Sequence, residues 1–152
     1  MNIAHQWFGV LVTVLIMLIP KIGIAAEPLT EKRIEEFGKL LWQLTKESPR
    51  RIYPYLSDDL EVELNVGSSA QGVTLHYNKA DYIRVVEKSL FESKIKWEDF
   101  QVDMFDFIVH SPTRGQYTAR SYFEGINTLV WGTYFVEVRE NNMYITKIVE
   151  SL

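Results

Sequence analysis

The chain has 152 residues, a formal net charge of −4, 47% hydrophobic and 24% charged residues, and no cysteine. This is the balance of a folded domain, and the length suits one domain rather than two. It excludes a disulfide framework, a thiolate metal site and a cysteine nucleophile. It also lacks the dense basic face that nucleic-acid binding needs, since Lys94 with Lys96 and Arg50 with Arg51 are only short basic spots.

Residues 7–19, from Trp7 to Ile19, are almost continuously apolar, and Pro20 and Lys21 stop the run. Gly23, Ile24, Ala25 and Ala26 follow. An apolar core of about 7–15 residues followed by small residues is the pattern of a secretory leader. The expectation is a signal peptide over 1–26, cleaved after Ala25 or Ala26, and a periplasmic or secreted protein. The rival is an uncleaved inner-membrane anchor, which takes about 20 apolar residues and reaches that length only by including Pro20 and Lys21.

Thr30 is an N-cap for a first helix, and Glu31 suits the positive end of its dipole. Ile34, Phe37, Leu41 and Leu44 form its apolar stripe, widened by Leu40, and Ser48-Pro49 ends it. A short helical piece over Arg50–Leu56 contains Pro54. Ser57-Asp58-Asp59 reads as a turn. Leu60, Val62 and Leu64 alternate with polar residues as in a half-buried strand. A Gly67–Gly72 loop and a short strand over Val73–Tyr77 lead to a second helix from Asn78, with Ile83, Val86 and Leu90 on its stripe and Tyr82 beside them. Strands are predicted over Trp97–His110, Gln116–Glu124, Thr128–Arg139 and Met143–Val149. Short turns between them imply an antiparallel meander.

This order resembles the nuclear-transport-factor-two-like superfamily, which includes SnoaL-like proteins. The segment from Ile52 through Tyr53-Pro54-Tyr55-Leu56 to Val62 is similar to that family's helix, turn and first strand. Asn78-Lys79-Ala80-Asp81-Tyr82-Ile83 is similar to the start of its long middle helix. The resemblance implies an α+β fold over 27–152: a curved antiparallel sheet of four to six strands wrapped around two or three helices of the N-terminal half, a cystatin-like cone. The open end of such a cone commonly leaves a pocket, whose use varies widely among members, so fold alone assigns little function. By rough alignment, the positions of a ketosteroid-isomerase-type site fall near Leu64, Leu40 and Thr133 or Tyr134. These do not supply its base, so that activity is not expected.

Asp106 is the carboxylate of most interest, because counting by two places it with Phe100, Val102, Met104 and Ile108. A lone carboxylate on an apolar face has a raised pKa and can act as acid or base. The competing and favoured reading is a β-bulge that turns Asp106 outward and puts Phe105 and Phe107 inside. His76, near the expected pocket mouth, Tyr122, Trp131 and Tyr134 complete the pocket-binding candidates. For the aromatics, core or dimer packing competes with ligand stacking. His110 reads as a surface residue at a strand end. The histidines show no ligand spacing, so neither metal nor cofactor is expected.

The expected function is an exported, non-catalytic domain that binds a small apolar ligand, or a protein through its sheet, with a homodimer through that sheet. The alternatives are a lyase, isomerase or hydrolase using a pocket carboxylate, and a membrane-anchored component of a secretion system. The last follows from a likeness to periplasmic domains of type IV secretion proteins and requires an uncleaved anchor. Membrane contact is expected only in that case, and no nucleic-acid partner is expected.

Overall fold

A computed structural model describes residues 27–67, 71–92, 100–123 and 128–152. The expected leader over 1–26, part of the loop after Gly67, the strand start at Trp97, and Glu124 with the Gly125–Asn127 turn lie outside the described residues.

Helix α1 (Glu31–Glu47) begins where the cap was expected, with Thr30 Oγ1 accepting from the Arg33 amide at 3.2 Å. The Ser48 amide returns to the Leu44 carbonyl at 2.9 Å, just before Pro49 breaks the helical path. Ile34, Phe37, Gly38 and Leu41 are the buried residues. Leu40, expected to widen that stripe, is instead 40% exposed. Gly38 lies at one edge of the stripe, whose midline is Ile34 and Leu41, and brings the sheet close; a Cβ there would sit 2.9 Å from Met104 Sδ. Leu40 lies beyond the opposite edge, about 200° around the helix from Gly38, and faces solvent.

The short helix is a 3₁₀ segment, Pro49–Tyr55, that accommodates Pro54. Strand β1 (Leu56–Val66) starts earlier than expected. Ser57-Asp58-Asp59, predicted as a turn, is extended because Leu56 already pairs with Ile145 across an irregular register. The Asp59 carboxylate also takes both guanidinium nitrogens of Arg139, at 2.8 and 2.9 Å, and this pairing lowers its pKa to about 2. After β2 (Val73–Asn78), helix α2 (Lys79–Glu92) is capped by Asn78 Oδ1, which accepts from the Asp81 amide at 2.9 Å. Strands β3 (Phe100–Ser111), β4 (Arg114–Phe123), β5 (Thr128–Arg139) and β6 (Asn142–Ser151) follow.

The six strands form one sheet in the order β2-β1-β6-β5-β4-β3. The expected all-antiparallel pairing needs one correction: β1 and β6 run parallel. The chain leaves the β1–β2 hairpin through α2 and re-enters the sheet at the far edge. The four-strand meander then works back and ends on β6, which lies beside β1 in the same direction. Helix α1 packs on β3 and β4, and α2 packs on β1 and β2. Ile34, Val62, Val136, Ile145 and Ile148 are almost fully buried beneath them. At Gly115 a Cβ would meet Ile34 Cδ1 at 2.5 Å, which shows how tightly this end of the core closes.

Candidate functional site

The two helices cover the two wings of the sheet and leave a cavity of about 350 Å³ over the strands between them. Its walls are mainly apolar and include Trp42 of α1, Val86 of α2, Val102 of β3, Ala119 of β4 and Val130 of β5. Trp42 and Phe100 meet edge to face, with ring centroids 4.5 Å apart. Val85, Ser89 and Leu152 line the cavity and are also exposed, so they mark its mouth.

Alternation along β6 sends Ile148 and Glu150 to the inner face, and both line the cavity. Glu150 pairs across the ladder with Gly132. Tyr134, two residues further along β5, leans back over Gly132; a Cβ at Gly132 would lie 2.7 Å from Tyr134 Cε2 and 2.8 Å from its hydroxyl. Glycine is therefore what lets the tyrosine lie along its own strand. The lean carries the Tyr134 hydroxyl to Glu150, where it donates to Oε1 at 2.8 Å. Tyr134 stacks on Tyr117 with centroids 5.1 Å apart and planes 15° from parallel. Tyr117 in turn faces Phe107 at 6.3 Å.

Burial raises the pKa of the Glu150 carboxyl, and the Tyr134 hydroxyl opposes this only in part. Burial, and then the Glu150 charge, push the phenols of Tyr82, Tyr117 and Tyr134 up, so all three stay protonated. Among the described residues that line the cavity, none is Lys, Arg or His, and Glu150 is the one acid. The arrangement is an apolar chamber with one carboxyl on its wall, which accepts from the Tyr134 hydroxyl. At the rim, Glu87 of α2 accepts from the Tyr53 hydroxyl at 2.9 Å and pairs with Arg50 at 2.6 Å, tying α2 to the 3₁₀ segment.

Tyr134, of the five predicted site residues, is on the cavity lining. Asp106 is exposed, at a bulge where Asp106 and Phe107 together oppose Tyr117. Its backbone is left-handed, with φ 53°, a conformation Asp tolerates better than most residues. The bulge faces Phe107 inward, but Phe105, expected inside with it, lies on the outer face against Trp131 at 5.9 Å. Trp131 is 44% exposed beside Arg120 of β4 on that outer face. Tyr122 shares the face by alternation. His76 pairs with Glu63, whose carboxylate takes Lys147 at 2.7 Å on the side away from the cavity. His110 is exposed and meets Gln116 at 2.9 Å. Four of the five therefore lie off the lining, because one bulge and strict alternation direct them outward.

The residue that sequence reasoning missed is Glu150, with Tyr82 and Tyr117 beside it. The available signal was a carboxylate two positions after Ile148 in an apolar strand. A register irregularity between Phe135 and Val136 hides it, since Ile145 and Ile148 are both buried though three residues apart, which breaks the period of two.

No protein-family model matches the chain, and no curated protein matches it significantly. Solved structures do. An NTF2-like protein of unknown function from Methylobacillus flagellatus KT superposes with TM-score 0.60 at 8% identity, over 84% of this chain and 97% of its own. One from Pseudomonas putida KT2440 gives 0.59 at 11% identity over 80% and 84%, and one from Shewanella oneidensis MR-1 gives 0.60 at 12% identity over 78% and 96%.

The Glu150 environment has a consequence for stability. Its folded pKa lies above the unfolded value of 4.5, so the folded state loses stability as pH rises past the ordinary carboxylate range. Glu150→Gln is expected to raise the urea midpoint at pH 8, with the gain fading below about pH 4. A variant weaker than the parent at pH 8 but equal to it at pH 4 would show a carboxylate well satisfied in the fold.

Taken with the six-stranded sheet and the helices it shelters, these likenesses establish that the chain has the NTF2-like α+β fold.

Proposed function

We propose that this chain is a binding domain for a small, mainly apolar molecule, seated in the cavity with one polar end at Glu150 and Tyr134. The observation that carries the reading is an apolar chamber of about 350 Å³ with a single converged polar pair on its wall. Small-molecule sites commonly fall at about 300–1,000 Å³ and combine apolar walls with a few placed polar groups. Binding is favoured over catalysis because Glu150 is the one carboxyl among the described lining residues, and its neighbours are phenols held protonated.

We further propose that the domain works outside the cytoplasm after loss of residues 1–26, and that a second copy of the chain covers the outer face of its sheet. Leu129, Trp131 and Ile108 are each more than 40% exposed there, and Phe105 packs edge-on to Trp131. Exposed apolar side chains clustered on a sheet face in this way are poorly hydrated and gain from cover.

The neutral fluorophore N-phenyl-1-naphthylamine is expected to bind with one-to-one stoichiometry. Val86→Trp, which fills the cavity from α2, is expected to weaken that binding by at least about tenfold while leaving the circular dichroism spectrum unchanged. Absence of binding, or binding indifferent to the filled cavity, overturns the pocket reading. Sedimentation velocity is expected to show a dimer, and Trp131→Glu to shift it to monomer; a monomer at every concentration removes the proposed partner. Intact mass of protein recovered from the periplasm of an expressing bacterium is expected to lack the first 26 residues. Recovery of the full-length mass with the membrane fraction would favour the anchor instead.

A further inference from the structure

We infer that the molecule held in the cavity carries a protonated amine, and that the Glu150 carboxylate is its counter-ion. This rests on the pocket reading above and goes further by naming the chemistry of the polar end.

The case starts from charge. Glu150 is the only acid on the cavity lining among the described residues, and no Lys, Arg or His there answers it. A carboxylate has two oxygens and about four lone-pair sites. Oε1 takes the Tyr134 hydroxyl at 2.8 Å, and Oε2 has no hydrogen-bond partner among the described residues. An acid on an apolar wall is costly to ionise unless paired, and an incoming cation supplies that partner.

The surroundings favour the same ligand. Tyr53 of the 3₁₀ segment, Tyr77 of β2, Tyr82 of α2, Tyr117 of β4 and Tyr134 of β5 all line the cavity. These are the titratable groups that face it from the elements packed around Glu150, and each is neutral when protonated. Phenols have no positive charge with which to compete against an incoming cation for the carboxylate. The Glu150 charge reaches Tyr82, Tyr117 and Tyr134, so the carboxyl and these rings occupy one neighbourhood. A carboxylate-bearing ligand would meet like charge with no cation to offset it. A neutral alcohol would gain one hydrogen bond and leave the charge unanswered. The apolar walls around Val102, Ala119 and Val130 suit a body of one or two fused rings on the amine.

Three probes with the same aromatic body separate these possibilities: 2-(1-naphthyl)ethylammonium, 2-(1-naphthyl)ethanol and 1-naphthylacetate, titrated calorimetrically into the protein at pH 7. The ammonium is expected to bind at least about tenfold more tightly than the alcohol, with the carboxylate weakest. Glu150→Gln is expected to bring the ammonium down to the level of the alcohol and to leave the alcohol within about twofold of its original affinity. Tyr134→Phe, which keeps the ring and removes only the hydroxyl, is expected to preserve the ranking. An alcohol that equals the ammonium, or an ammonium preference that survives Glu150→Gln, overturns the inference and leaves the pocket reading standing. Should Glu150→Gln fail to fold, the ranking on the unmodified protein decides alone. If neither the three probes nor the neutral fluorophore binds, the pocket reading falls and this inference with it.

Discussion

A twisted sheet of six strands has more inner surface than two short helices can cover. Helix α1 rests on β3 and β4, drawn close by Gly38, and α2 rests on β1 and β2, drawn in by Tyr82, Ile83 and Val86. The strands between them, β5 and β6, are roofed at one end by the core around Ile34, Val136 and Ile145 and left open toward the other. The cavity is the consequence of that unequal cover. It is bounded by residues that would be core if the helices were longer or closer, which is why its walls are apolar.

Within that space one polar arrangement is set by a backbone detail. Gly132 leaves room for the Tyr134 ring to lie along its strand, and the hydroxyl then reaches Glu150 across the ladder. A side chain at position 132 would lift the ring and separate the pair. The stacked Tyr117 holds the ring from its other side, and the bulge at Asp106 turns Phe107 inward to support Tyr117. A residue on the exposed edge strand thus contributes to the geometry of the carboxyl in the cavity through two aromatic contacts and the Tyr134 hydrogen bond.

The sheet divides the molecule into two faces with different properties. Inside are phenols, aliphatic walls and one acid. Outside are Phe105, Trp131 and Leu129, interrupted by the ion pair of Arg120 with Asp103 and by that of Lys147 with Glu63. Exposed pairs of this kind contribute little stability. Their effect on the outer face is to limit the apolar area and to give a covering surface a pattern of charge to match. The bidentate Asp59–Arg139 pair has a further role, anchoring the irregular start of β1 to the end of β5.

The linear chain determined the elements and their order. Thr30 and Asn78 as caps, the stripe of Ile34, Phe37 and Leu41, and the long β-branched and aromatic runs after residue 100 are local signals, and each acts through a few neighbouring residues. The resemblance carried by Ile52–Val62 and by the start of the second helix followed from that order. What only the tertiary structure decided is which side of a strand each residue faces once registers slip. One extra residue at Asp106 and another near Thr146 reverse the alternation on β3 and β6; the first turns Asp106 outward, as the favoured bulge reading had it, and Glu150 lay beyond the predicted end of the last strand at Val149. The parallel pairing of β1 with β6 and the approach of Tyr134 to Glu150 join segments far apart along the chain, and no local periodicity encodes such contacts.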